Sequence, residues 1–442
     1  MRKLLTFVTA ILTLIPTTKL EARNREEARA EVLAGSRGFY KDVFMDSGIG
    51  LTSRRQLYAA RHLGLSIEYF ASASNSKLTE RDTLLQHSIF CGDENDINGW
   101  LLYPDGAPRF RVIYVNGGSA NKHARSLGNS GAERIREYVA NGGSYVGTCA
   151  GAFFASAGAI DNAKKRYFTD LYLKLWPSYA HRTSLKKSQP TLQLEKNSPL
   201  TKYFDFGKEL CVADVYHNGG CYAHVDSSRP LPYGTEILAR YIFNNTDKVT
   251  IDNEISIWAY KASERSGRTI LCGSHPEKVG EGERLELMAS MLLYAMEGNP
   301  APRIKGTLSQ GEVREMNKRT EDFDPDHTRI GDRQYHHFAV DVPKKCKQLI
   351  INLDGYEDAK KFDLTLCAKR GEPAFHDNTL LKSVASGCKK SLTIDRPKSG
   401  RWFVSVFCET TVETSAGKYG TSYRGHIAVL NGVPYKISVE YK

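Results

Sequence analysis

The stretch from Ser144 to Ala157, SYVGTCAGAFFASA, limits the fold of this chain more than any other. Tyr145, Val146 and the residues leading into them predict a strand. Gly147 to Gly151 predicts a sharp turn, and Ala152 to Ala157 the first turns of a helix. A nucleophile with a glycine two positions away on each side, at a strand-to-helix corner, is the pattern of a nucleophile elbow. The glycines serve a turn in which neighbouring backbone approaches too closely for a Cβ. A thiol at a helix N-terminus also has its thiolate stabilised by unpaired backbone N–H groups and by the helix dipole. The competing reading is a buried structural cysteine beside two loop glycines.

The elbow sits in a chain that alternates strands and helices. Lys41 to Met45 predicts a strand, Asp46 to Gly50 a glycine-bearing loop, Thr52 to Leu63 a helix and Leu65 to Phe70 a second strand. Arg111 to Val115 predicts a buried strand running into Asn116-Gly117-Gly118-Ser119, and Ala132 to Ala140 a helix ending at Asn141-Gly142-Gly143. Such a pattern builds a parallel α/β sheet, whose ligands collect beyond the carboxyl ends of the strands. Gly158 to Phe206 has weak periodicity and is read as a peripheral excursion with short strands. Strands are expected again at Cys211 to Tyr216, Ile237 to Ile242, Ser256 to Tyr260 and Arg268 to Cys272. An apolar helix follows from Gly282 to Met296.

Beyond Pro300 the pattern changes. Residues 301–325 are polar and aperiodic and read as a linker. Residues 326–442 alternate strictly: Phe338, Val340 and Val342; Leu349, Ile351 and Leu353; Trp402, Val404 and Val406; Tyr435, Ile437 and Val439. Short alternating strands separated by Gly and Pro imply an antiparallel β-sandwich.

Arg2-Lys3, the uncharged run Leu4 to Pro16 and a small-residue site near Ala22 read as a signal peptide over residues 1–22. Residues 23–37 then form an exposed helical spacer, and the mature protein is expected to be exported, with no membrane span. Nine cysteines suit an oxidising compartment, where an odd number leaves one thiol unpaired; Cys149 is the natural candidate. Cys346, Cys367, Cys388 and Cys408 are expected to form two bridges, with three connectivities open. Asn244-Asn245-Thr246 is a candidate glycosylation site. The net charge of +11 is spread along the chain without a nucleic-acid-binding motif, so no nucleic acid partner is expected.

A cysteine at an elbow needs a base and a group to orient that base. His275, after the strand Arg268 to Cys272, and Glu277 two residues on supply both roles in the manner of a triad. The backbone N–H of Ala150, with one from the loop Gly117-Gly118-Ser119, would bind an oxyanion. Asn116, Gly219 and Gly220 are candidate substrate contacts. No metal and no cofactor is expected.

Gly147 to Gly151 (GTCAG) followed by Gly273 to Glu277 (GSHPE) resembles the class I glutamine amidotransferase fold, an α/β flavodoxin-like domain. NGGSA at 116–120, RIREYVANGGSYVGTCAGAFFAS ending at Ser156, YHNGGCY at 216–222 and ILARY at 237–241 are similar to the amidotransferase-like domain at the N-terminus of eukaryotic biotin–protein ligases. The resemblance covers residues 38–300 and implies a cysteine-dependent hydrolase of a C–N bond, acting on a small-molecule or peptide amide. Ala150, where the peptidase and chaperone branch usually has His, sets the chain apart from that branch. Such families commonly have Pro-Gly-Gly-Ala-Asp where this chain has NGGSA, which keeps open a catalytically inactive binding or structural protein. A glutaminase serving a separate acceptor enzyme is the third reading, and no ligase or synthase domain follows in the chain. Residues 326–442 resemble the pre-peptidase C-terminal domain of secreted hydrolases through FDLTL at 362–366 and SGRWFV at 399–404, which implies an extracellular ligand.

Overall fold

The computed structural model describes residues 17–35, 37–46, 57–70, 91–92, 97–161, 165–168, 170, 172–225, 230–242, 251–416 and 421–442. The run from Arg2 to Pro16, the loop after Asp46 and Asn244 to Thr246 lie outside them. In chain order the first elements are α1 (Thr17–Ala34), β1 (Lys41–Asp46), α2 (Tyr58–His62), β2 (Ile67–Phe70), β3 (Phe110–Val115), α3 (Ala120–Ala140), β4 (Ser144–Thr148) and α4 (Ala150–Ala155). Then come β5 (Ser156–Ile160), β6 (Arg166–Phe168), β7 (Trp176–Arg182), β8 (Thr191–Leu194), β9 (Cys211–Val212), β10 (Cys221–Tyr222), β11 (Thr235–Ile242), β12 (Ile255–Tyr260), β13 (Thr269–Cys272) and α5 (Gly282–Glu297).

Nine of these strands form one mixed sheet in the order β2-β1-β3-β4-β13-β12-β11-β8-β9. The first five are mutually parallel, because each pair is joined by a crossover long enough to return to the starting edge. Counting only the parallel strands, the order is 2-1-3-4-5, that of flavodoxin-like sheets. The remaining strands are added antiparallel. Helices α3 and α4 cover one face, α1, α2 and α5 the other. A smaller sheet, β10-β7-β5-β6, occupies the region read as a peripheral excursion.

Helix α5 is buried nearly all round, from Leu285 to Met296, as expected of a helix that is apolar on every side. Its outer side is covered by α1, which the sequence reading took for an exposed spacer. Val32 of α1 is buried, Arg29 donates to the Tyr203 carbonyl at 2.5 Å, and the Arg111 guanidinium donates to the Val32 carbonyl. Helix α1 has a weakly amphipathic sequence, so only its neighbours reveal that it is docked. It runs without a break through Ala22, the expected cleavage position.

The C-terminal third adds β14 (Ile304–Thr307), β15 (Val313–Met316), β16 (Tyr335–Val342), β17 (Gln348–Gly355), β18 (Leu364–Arg370), β19 (Lys382–Ser383), β20 (Lys390–Asp395), β21 (Gly400–Cys408), β22 (Val412–Ala416), β23 (Thr421–Gly425) and β24 (Tyr435–Tyr441). They pair as β14-β16-β21-β18-β19 and β15-β24-β17-β20, with β22–β23 a separate hairpin. The alternating residues read as core are buried, and His336 of β16 reaches Tyr435 of β24 across the gap between the sheets at 2.8 Å. The supposed linker differs from its sequence reading. Residues 304–307 and 313–316 are edge strands of the two sheets, too polar and short to show a period.

No hinge separates this region from the mixed sheet. One continuous apolar core contains Phe110, Ile113 and Tyr145 together with Phe338, Ile351 and Val404. Buried ion pairs cross the seam: Arg109 to Asp332 at 2.8 Å, and Lys305 to Asp105 at 2.5 Å. Arg109 also lies over the rings of Tyr40, Tyr103 and Tyr423. Hairpin β22–β23 shields the edge strand β2, with Thr421 Oγ1 accepting from the Tyr69 amide at 3.3 Å. A covered edge cannot template pairing with another chain.

All nine cysteines are free thiols. The expected bridges are absent, and a Cys367–Cys408 pairing is excluded because Cys367 lies opposite Ser405 and Cys408 opposite Leu364. That offset of three residues along paired strands is about 10 Å, beyond the reach of a disulfide. The Cys388 thiol instead donates to the Ala359 and Phe362 carbonyls, each at 3.1 Å.

Replacing Arg109 by Ala should leave Asp332 as a buried unpaired charge and cost about 3–5 kcal/mol. Denaturant unfolding checks this. A loss below about 1 kcal/mol, typical of an exposed pair, would show that the seam pair does not support the fold.

Candidate active site

The carboxyl ends of β4 and β13 lie side by side, with Thr148 paired to Cys272. Each strand runs directly into one half of the site, Cys149 after β4 and Ser274-His275 after β13. The Cys149 amide donates to the Cys272 carbonyl at 2.8 Å, which ties the two halves together. Cys149 has φ 49° and ψ −103°, a conformation that L-residues avoid and that costs about 1–3 kcal/mol. The surroundings impose it. A Cβ on Gly151 would fall 2.0 Å from the Val115 carbonyl oxygen, and one on Gly147 would fall 2.6 Å from the Gly151 backbone. The two elbow glycines therefore let α4 pack directly against β3 and β4.

His275 is the centre of the polar chain. Its ring lies close to Cys149, which acts on its charge, and Nδ1 lies 2.8 Å from Glu277 Oε1. Glu277 is 1% exposed and is held by Thr148, whose Oγ1 donates to Oε1 at 3.2 Å. The Tyr114 hydroxyl in turn donates to Thr148 Oγ1 at 3.0 Å. Burial opposes a charge on His275, but the Glu277 carboxylate, the hydrogen bond to it and the nearby Cys149 outweigh it, and the pKa is pushed up to about 10. Cys149 and His275 are each only 6% exposed.

Gly117 packs flat on the imidazole, and a Cβ there would lie 2.2 Å from His275 Cε1. Gly118 has φ +138° and is exposed, with Ser119 capping α3 beside it. Ala150, the first residue of α4, has an amide that no intrahelical bond engages. Asn116 is fully buried, and neither atom of its amide has a hydrogen-bond partner among the described residues. The Gly219 N–H donates to the Leu185 carbonyl at 2.6 Å, and the Gly220 carbonyl accepts from Thr183 at 2.9 Å. The Gly219 N–H and the Gly220 carbonyl are thus committed to the fold. Thr148 and Tyr114 were not singled out from sequence, since each reads as an ordinary strand residue. Among the described residues, no group of three or more His, Cys, Asp or Glu side chains is arranged to hold a metal ion.

The elbow, the glycine loop and the strand-end histidine all lie within the residues matched by one family model. Residues 107–291 match the family model described as "Biotin-protein ligase, N terminal". The matched residues include Cys149, His275, Glu277 and the glycine loop, and leave the C-terminal sheets outside. No curated protein matches the chain. Among solved structures, the chain is similar to a glutamine amidotransferase at 15% identity and a TM-score of 0.34, covering 57% of this chain and 98% of that one. A putative GMP synthase component from Thermoplasma acidophilum gives 11% identity and a TM-score of 0.33, covering 58% and 94%. PliG of Aeromonas hydrophila, a periplasmic lysozyme inhibitor, gives 12% and 0.20, covering 32% and 100%. Likenesses this distant add nothing to the topology described above. Among the described residues, no helix is long and apolar enough to cross a membrane.

Because its folded pKa is raised, protonated His275 favours the folded state. That contribution is complete below the unfolded value near pH 6.5 and is lost as pH rises towards 10. NMR titration should find the ring still protonated at pH 8 in the native protein. Glu277→Gln should move the midpoint down by more than about one unit, the scale of a lost opposite charge. An unchanged midpoint would remove Glu277 from its role beside His275. Gly117→Ala should displace the imidazole and slow alkylation of Cys149 without unfolding the protein, read by peptide mass spectrometry beside a melting curve.

Proposed function

We propose that the chain is a cysteine-dependent hydrolase of amide C–N bonds, built on an amidotransferase-like domain. The observation that carries this reading is the placement of Cys149 and His275 at the ends of the paired strands β4 and β13, with His275 Nδ1 2.8 Å from Glu277 Oε1. The Cys149 sulfur, its proton taken by His275, would attack the amide carbonyl carbon. The oxygen charge that develops would be met by the backbone N–H of Ala150 and one from Gly118 or Ser119, at the positive end of α4. His275 would pass its proton to the leaving nitrogen as the C–N bond breaks, leaving an acyl thioester. Water would then attack that thioester and give its proton to His275, which returns it to the sulfur as the acid is released. Glu277 would keep the imidazole oriented, and the unpaired Asn116 amide would meet a polar group of the substrate. An exported location and a pre-peptidase-like β-sandwich with its own ligand belong to the same proposal.

One observation favours a second reading, a binding or structural protein that has kept the fold. Cys149 and His275 are almost fully covered. A glutaminase serving a separate enzyme is a third reading, and failure to release ammonia from glutamine removes it.

Alkylation of the full chain by iodoacetamide separates the first two. Cys149 should be labelled ahead of the other thiols, and His275→Ala should slow that labelling by about 10²-fold, the scale of a general-base loss. Labelling of Cys149 that is not preferential, or that ignores His275→Ala, would favour the inactive protein.

A further inference from the structure

The motif YHNGGCY at 216–222 has no part in the chemistry above, yet Tyr216, His217, Gly220 and Cys221 all meet the turn that carries His275. The His275 amide donates to the Tyr216 carbonyl at 2.8 Å, and the Tyr216 ring packs on the His275 ring with centroids 5.7 Å apart. Lys278 Nζ lies over the Tyr216 ring, 3.8 Å from its centre. One residue along, His217 is fully buried. Its Nδ1 lies 2.9 Å from Ser274 Oγ, and its Nε2 lies 2.6 Å from Thr183 Oγ1. The Tyr241 hydroxyl completes the cluster, 3.2 Å from Ser274 Oγ while donating to the Cys221 carbonyl at 3.0 Å. The two backbones then touch. A Cβ on Gly220 would lie 1.8 Å from the Gly273 oxygen, and a Cβ on Gly273 would lie 1.7 Å from the Cys221 oxygen.

We propose that His217 is a positioning residue for His275, acting through Ser274 by a hydrogen-bonded bridge from Thr183. A turn between a strand and a short 3₁₀ segment has few bonds of its own with which to hold a side chain. Here His217 bonds the residue directly before His275, while Gly220 and Gly273 bring the two loops into backbone contact. The imidazole suits the task because, when neutral, it donates from one nitrogen and accepts at the other. Burial, and then the charge of His275, hold its pKa down to about 3, so it stays neutral when His275 is charged. It therefore adds no second cation to the site. This inference rests on the hydrolase reading for its catalytic meaning but not for its structural test.

The test compares His217→Leu, which fills the space without hydrogen bonds, with His217→Gln, which restores one donor and one acceptor. Ser274→Ala removes the bridge from the other side and serves if His217→Leu does not fold. In folded protein, the pH midpoint of His275, read by NMR, should fall towards its ordinary value in His217→Leu and Ser274→Ala and return in His217→Gln. Iodoacetamide labelling of Cys149 near neutral pH should fall about tenfold in the first two variants, the lower end of an acid–base contribution, and recover in the third. A His275 midpoint unchanged in both His217→Leu and Ser274→Ala overturns the proposal. So does loss in His217→Gln equal to that in His217→Leu. If native Cys149 proves no more reactive than the half-buried Cys211, the hydrolase reading fails, and the NMR midpoint still decides the role of His217.

Discussion

The parallel pairing of β4 with β13 is the contact on which the rest of the site depends. Thr148 and Cys272 are partners in that ladder, so the residues that follow them emerge at one edge of the sheet within reach of each other. A slip of one residue would turn both side-chain sets to the opposite faces and separate Cys149 from His275. The register is protected by burial on both faces and by backbone contacts that admit no Cβ at Gly147, Gly151 and Gly273. Those contacts hold Cys149 in a left-handed conformation that a freer chain would leave.

Charge is buried in two places, and each is handled by the same means. In the site, Glu277 faces the His275 ring and a threonine hydroxyl, so its charge is shared with groups that can answer it. At the seam, Asp332 faces Arg109, and Asp105 faces Lys305 and Gln334. The Lys305 ammonium keeps the Asp105 carboxyl well below the usual range although burial works the other way. Buried pairs add little net stability against an apolar filling, but they punish any other alignment of the parts that carry them. They hold the C-terminal sheets in one orientation on the mixed sheet, where a tethered module would have a polar, solvated boundary. The apolar core runs through the same boundary.

The strands and the helix over 282–297 could be read directly, because burial imposes a period of two or an apolar run. The strand-to-helix corner at Cys149 and the strand-end histidine were legible for a similar reason, since glycines and a His-Pro-Glu at such places have few other uses. What escaped notice had no local signature. Helix α1 is docked by contacts with Tyr203 and Arg111 far along the chain. Strands β14 and β15 are recognisable only by their partners β16 and β24. The four C-terminal cysteines suggested bridges by their number, whereas their positions in the ladders keep Cys367 and Cys408 apart.

The amino-acid sequence by itself determined that Cys149 stands at an elbow, that His275 and Glu277 end a later strand, and that an alternating β region follows. Those features depend on residues near one another in the chain, so local sterics and hydropathy specify them. Only the tertiary structure decided that the imidazole is bonded to the Glu277 carboxylate and lies close to the thiol. It also decided that Thr148, Tyr114 and the neutral His217 surround those groups, and that the thiol is nearly covered. The physical reason is that such contacts join residues far apart in sequence, whose distances are set by strand register and the packing of both faces of the sheet. No period or motif within a window of residues records them.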